Sequence, residues 1–153
     1  MKKYAIVVAG GKGLRMGGEI PKQFIPVQGR PVLMRTLDVF HAYDESVELI
    51  VVLPVAQQGY WNELCREYDF RIPYHLADGG ETRFHSVANG LAEVPDGETD
   101  ALVAVHDAYV LLCLVKSLRH VMNLLSGNVL PYLLSKSWRH CVVWNPTGRR
   151  ETV

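Results

Sequence analysis

Tyr4-Ala5-Ile6-Val7-Val8-Ala9-Gly10-Gly11-Lys12-Gly13-Leu14-Arg15-Met16-Gly17-Gly18 is the stretch that decides the fold. Its apolar start shows no polar alternation, which predicts a strand buried on both faces, as in a parallel sheet. The glycines stop that strand. They also free backbone N–H groups to turn toward an anion, so the loop is a candidate phosphate cradle, with Lys12 and Arg15 adding charge. A Walker A loop is excluded because Lys12 is followed by Gly13, not Ser or Thr. A dinucleotide fingerprint is excluded because Met16 stands where the third glycine is needed.

Outward from this stretch the chain alternates. Pro31 suits a first helical turn, and Val32, Leu33, Leu37, Val39 and Phe40 predict a helix over 31–43. ELIVVL at 48–53 predicts a second buried strand, stopped by Pro54. A helix over 57–68 would share one face among Tyr60, Trp61, Leu64 and Tyr68. A short strand is expected at 74–77, and a helix at 82–93 carrying Phe84, Val87, Ala88 and Leu91. ALVAV at 101–105 predicts another buried strand, ending at His106-Asp107. Strands alternating with helices predict an α/β fold, a mostly parallel sheet flanked by helices. Ligands bind such sheets beyond the carboxyl ends of the strands, near the switch in strand order. Past Asp107 the pattern fades: 110–134 is leucine-rich without a period, and 135–153 shows no clear element.

Lys and Arg number 16 and so do Asp and Glu, so no global basic field invites nucleic acid or a membrane surface. The three cysteines include no C-x-x-C pair and no zinc-like cluster with histidine. No stretch reaches the ~18 apolar residues that would span a bilayer. These features lead us to expect a cytoplasmic, reduced protein with neither nucleic acid nor membrane as partner.

Pro21-Lys22-Gln23-Phe24 follows the glycine loop, and the two motifs together are far more specific than either alone. Gly29-Arg30-Pro31-Val32-Leu33, Gly79-Gly80-Glu81-Thr82-Arg83 with Ser86-Val87 and Gly90-Leu91, and Val105-His106-Asp107-Ala108 come after. In these motifs the chain resembles the 2-C-methyl-D-erythritol 4-phosphate cytidylyltransferase family of the non-mevalonate isoprenoid pathway. The ribitol-5-phosphate type is a close sister. The resemblance covers residues 1–108 and implies a Rossmann-like nucleotidyltransferase fold. It implies that CTP and a polyol phosphate give a CDP-alcohol and pyrophosphate, with Mg²⁺ as cofactor. Arg15 and Lys22 match the family's transition-state cations. Ala9, Gly10, Gly11 and Gly13 match the loop that holds the nucleotide. Gly79, Gly80, Arg83 and Ser86 match the segment that reads cytosine and ribose, although Glu81 or Thr82 could equally serve as an ordinary helix cap there. Asp107 matches the magnesium aspartate, and a lone strand-end Asp can also cap a helix.

The resemblance stops at residue 108. The family's Arg-Pro is replaced by Tyr109-Val110-Leu111-Leu112, and its later polyol-phosphate and dimer-arm motifs do not occur, which leaves the family homodimer doubtful for this chain. In a neighbouring reading frame, permitted codons from Tyr109 onward can spell VRPFVSREV, and those for 133–150 can spell FAVEVVASLRRLEPDGE. We therefore expect a unit over 1–108 and an atypical segment over 109–153, out of frame after a one-base deletion near the Ala108 codon. Such a tail would leave an exposed apolar sheet edge. The alternative is a genuinely divergent C-terminal half. Three functions stay open: the methylerythritol enzyme, the ribitol type, and a non-catalytic nucleotide-binding fragment.

Overall fold

The structure is a computed structural model and describes residues 2–10, 20–95, 101–108 and, in backbone alone, 142–144. The first strand, β1, spans Lys2–Val8. A small hairpin follows, β2 over Pro26–Val27 and β3 over Arg30–Pro31. Then come α1 (Val32–Tyr43), β4 (Val47–Leu53), α2 (Val55–Glu67), β5 (His75–Asp78), α3 (Arg83–Ala92) and β6 (Ala101–Asp107). The last described strand is β7, Val142–Trp144.

The main sheet has the order β5-β4-β1-β6-β7. Its first four strands are parallel, with Ile6 opposite both Ile50 and Val105. The apolar runs read from the sequence thus become neighbouring parallel strands, buried on both faces. Alternate residues of β1 serve opposite faces. Ala5, Val7 and Ala9 pack with Leu33, Leu37, Phe40, Trp61 and Leu64 of α1 and α2. Tyr4, Ile6 and Val8 pack on the other face, with Val87 and Leu91 of α3 against them.

Several expectations are corrected. Tyr60 is 40% exposed and Phe84 69% exposed, whereas the spacing placed both on buried faces. In α2 the buried residues are Trp61 and Leu64. In α3 they are Ser86 and Gly90, and Ala88 is exposed. The reason is distance. A Cβ at Gly90 would lie 2.7 Å from Ile6 Cγ2 and 2.9 Å from Val52 Cγ2. A helix this close to the sheet has no room for large side chains at its line of contact, so its bulk points elsewhere. Pro31 precedes α1 as its cap, with extended ψ, instead of occupying the first turn, and α2 begins at Val55, two residues before the expected 57, with Pro54 as its cap. The β2–β3 turn, which the sequence reading did not include, has Gln28 and Gly29 at φ 49° and 78°. Positive φ at both central residues is the tight two-residue hairpin geometry.

Beyond β6, β7 pairs antiparallel with it across Val103–Val105. The rest of the atypical segment, 109–141 and 145–153, lies outside the described residues. Among the described residues no helix is long and apolar enough to cross a membrane.

Candidate functional site

The chain builds β1, β4 and β5 outward in one direction and then returns to place β6 on the other side of β1. That reversal puts the switch point between β1 and β6, beyond whose carboxyl ends a crevice is expected in such sheets. Val8 and Asp107 are register partners at that edge. Ala108 continues the contact, donating its N–H to the Val8 carbonyl at 3.0 Å. The Thr36 hydroxyl reaches from α1 to the Ala108 carbonyl at 2.8 Å.

Ala9 is pinned on both sides. Its N–H donates to the Val52 carbonyl at 2.9 Å, and its own carbonyl accepts from Gln23 Nε2 at 2.7 Å. Gly10 comes next, and a Cβ there would meet Ser86 Oγ at 3.7 Å. The loop's first glycine therefore faces the start of α3. Gly11, Gly13 and Arg15 lie outside the described residues.

Ser86 is buried and organises the turn after β5. The Gly80 N–H donates to its Oγ at 3.0 Å, and that hydroxyl donates to the Thr82 carbonyl at 3.1 Å. A side chain at Gly80 would press on the His85 carbonyl carbon at 2.9 Å and on Ser86 N at 3.0 Å. Gly79 donates to the Leu53 carbonyl at 2.8 Å, and a Cβ there would sit 2.9 Å from Pro54 N. Both glycines permit backbone approaches that a methyl would prevent. Thr82 is the helix cap, its Oγ1 accepting from His85 N at 3.2 Å. The capping is therefore done by Thr82, and Ser86 is a separate residue bonded to Gly80 and to the Thr82 carbonyl.

Arg83, in the first turn of α3, reaches across to β6. Its Nε donates to Asp107 Oδ1 at 3.0 Å, with side-chain exposures of 46% and 5% respectively. The guanidinium comes in from solvent to a buried carboxylate, a charge-assisted bond that fixes the carboxylate's direction. Among the described residues no group of three or more His, Cys, Asp or Glu could hold a metal by itself.

Lys22 opens a short 3-10 turn, Lys22–Phe24, tied to the end of β1 by the bond from Gln23 to the Ala9 carbonyl. Phe24 is buried and stacks near Trp61, ring centroids 6.1 Å apart. The structure therefore brings together Ala9, Gly10, Gly79, Gly80 and Ser86, sets Arg83 on Asp107, and places Lys22 beside the residue that bonds Ala9. Sequence reasoning gave no role to Gln23 or to its partner Gln57, whose Oε1 lies 2.5 Å from Gln23 Nε2. Gln23 stood inside a quoted motif, but an uncharged amide there carried no chemical signal.

Comparison with known proteins follows the same motifs. The family model described as 2-C-methyl-D-erythritol 4-phosphate cytidylyltransferase matches residues 4–129, running past the boundary at 108 read from the motifs. A 2-C-methyl-D-erythritol 4-phosphate cytidylyltransferase of Phocaeicola vulgatus is 61% identical over 107 residues, 70% of this chain and 48% of that protein. One from Bacteroides fragilis is 58% identical over the same shares. The solved structure of the Francisella tularensis enzyme overlays with a TM-score of 0.65 at 28% identity, covering 83% of this chain and 53% of that one. The 4-diphosphocytidyl-2C-methyl-D-erythritol synthase of Anaerococcus prevotii does so at 0.65 and 27%, covering 83% and 52%. The chain spans about half the length of the curated relatives it matches. A parallel sheet with this strand order, the glycine turns at its carboxyl edge and the family match over most of the chain lead to one assignment: the chain belongs to the 2-C-methyl-D-erythritol 4-phosphate cytidylyltransferase family.

Proposed function

We propose that the chain binds CTP at the carboxyl edge of its sheet and takes part in transfer of CMP to 2-C-methyl-D-erythritol 4-phosphate. The observation that carries this is the meeting of Ala9-Gly10 with Gly80 and Ser86, one strand away from Asp107 and Arg83, in a member of that family. In the reaction a phosphate oxygen of the polyol phosphate attacks the α-phosphorus of CTP. A new P–O bond forms there, the bond to the β-phosphate breaks, and its electron pair leaves with pyrophosphate. The protein positions both partners and stabilises the charge that builds on the oxygens.

Amides of the glycine loop (Gly10, Gly11 and Gly13) cradle the triphosphate, and Arg15 and Lys22 supply cations to the α-phosphate and the leaving group. Ser86 has its hydroxyl proton directed to Thr82 and one lone pair occupied by Gly80, which leaves an acceptor for a donor such as the cytosine amino group. Asp107 fits Mg²⁺. That ion is usually held by one or two carboxylates, with waters and substrate phosphates as its other ligands, so a single hard oxygen donor beside a triphosphate suffices. When bound, Mg²⁺ neutralises charge on the triphosphate, while Arg83 keeps the carboxylate aimed. The reading includes a reducing cytoplasmic setting, in which Cys65 stays a free thiol. It also takes segment 109–153 as read out of frame. Sequencing the gene from an independent clone tests this, and an intact frame with the same residues refutes it.

The test is pyrophosphate release with CTP and Mg²⁺, each polyol phosphate being offered separately. Release with methylerythritol phosphate alone supports the proposal, and release with ribitol 5-phosphate alone moves it to the sister activity. CTP binding without release reduces the chain to a nucleotide-binding fragment. Absence of CTP binding overturns the reading.

A further inference from the structure

Gln23 is 1% exposed, and its amide nitrogen has oxygens on both sides: the Ala9 carbonyl at 2.7 Å and Gln57 Oε1 at 2.5 Å. Two acceptors fix the orientation of the carboxamide, since a flipped amide would set oxygen against oxygen. Three segments distant in sequence therefore meet on one side chain. They are the exit of β1, the turn that carries Lys22, and the first turn of α2, where the Gln57 N–H bonds the Pro54 carbonyl at 2.8 Å. Phe24 wedges the same turn between Tyr60 and Trp61, at 5.3 Å and 6.1 Å between ring centroids. Burying an amide costs free energy that an apolar side chain of the same size would not, so packing alone does not account for Gln23. One of its donors is spent on the carbonyl just before the glycine loop and the other on Gln57.

We propose that Gln23 is a positioning residue for the nucleotide site. It sets the direction in which the chain leaves β1 and, through its peptide link to Lys22, the separation between that cation and the loop. Gln57 is the second half of the device, holding the amide in its working orientation. The inference rests on the CTP reading for its consequence but not for its geometry, and the experiment separates the two.

The whole chain is compared with Gln23→Leu, which keeps volume and removes the donors, and with Gln57→Leu and Gln57→Glu. Amide exchange is measured without ligand, and CTP affinity by calorimetry with Mg²⁺. Gln23→Leu is expected to speed exchange at Ala9 and Gly10 by roughly tenfold while Ile6 and Ile50 are unchanged, and to weaken CTP binding by about tenfold, as loss of an ordinary hydrogen bond does. Gln57→Glu keeps an acceptor and should lose less than Gln57→Leu. Faster exchange throughout the sheet makes Gln23 a core filler and overturns the proposal, as does CTP affinity within about twofold of wild type. If the unsubstituted chain binds no CTP, the nucleotide reading falls, and the local exchange pattern alone decides whether Gln23 sets the exit from β1. Should Gln23→Leu fail to fold, Gln57→Leu decides: weaker CTP binding with sheet-centre exchange intact supports the proposal, and wild-type affinity refutes it.

Discussion

The two faces of the sheet are built on different principles. On one face α1 and α2 lay down Leu33, Met34, Leu37, Phe40 and Trp61, all essentially sealed from solvent. On the other, α3 approaches on Gly90 and Ser86, so near that a single methyl at position 90 would collide with Ile6 and Val52. The first face gathers apolar bulk, which is where hydrophobic stabilisation comes from. The second brings the start of α3 against the ends of β1 and β6, where Gly80, Ser86 and Arg83 meet Gly10 and Asp107. Bulk on one side holds the sheet, and closeness on the other aims the site.

Changes at the edge and on each face should separate these roles. Lys22→Ala, at the edge and on neither face, should in a full-length, in-frame version lower kcat by roughly 10²–10³, as loss of one preorganised charge partner does, with little change in melting temperature. Near-normal turnover in a pyrophosphate assay would remove Lys22 from the mechanism. Leu37→Ala, on the bulky face, should cost about 2–5 kcal/mol in urea denaturation through the cavity it leaves, with CTP affinity unaltered in the protein that stays folded. Gly90→Ala adds volume on the close face and should cost about 1–3 kcal/mol. Unlike Leu37→Ala it should also weaken CTP binding, because α3 must move. Equal CTP affinity in the two variants would erase the contrast. Thr82→Ala removes the α3 cap and should cost about 1 kcal/mol, read by the same denaturation.

The smallest effect is electrostatic and lies away from the site. Lys3 Nζ lies 2.7 Å from Asp44 Oδ2. Bonds from Lys3 and then from Ser46 hold the Asp44 carboxyl down at about 2, and the bond to Asp44 raises the Lys3 ammonium above its usual value. The carboxylate's contribution is present above its unfolded pKa near 3.9 and is lost as pH falls toward 2. The ammonium's contribution is present below about 10.5 and fades as pH rises beyond it. The pair is partly exposed and screened, so Lys3→Ala should cost under about 1 kcal/mol at neutral pH and flatten the acid limb of a stability–pH curve. An unchanged acid limb would show that the pair contributes nothing.

The strands were the most legible part of the sequence. Continuous apolar runs such as 48–53 admit few readings other than a buried strand, and β1, β4 and β6 formed where they stood. Helix positions were equally readable, but helix faces were not. Periodicity assigns the largest residues to the core, and Phe84 and Tyr60 break that rule because α3 is held off bulk by its own proximity to the sheet and α2 turns Trp61 inward. The two-residue strands β2 and β3 are too short for any pattern, and β7 lies in a stretch whose composition favours no element. At the site, the glycines and charges announced themselves. The Gln23–Gln57 contact joins positions 34 apart, and only the tertiary approach of two neutral amides creates it.

The contact of Gly90 with Ile6 and Val52 reaches beyond stability. Those three positions share one volume, so a change at one alters what the others tolerate. Alanine at 90 costs less once a branch at 6 or 52 has been trimmed, so the order of the two changes sets how much stability the intermediate protein gives up.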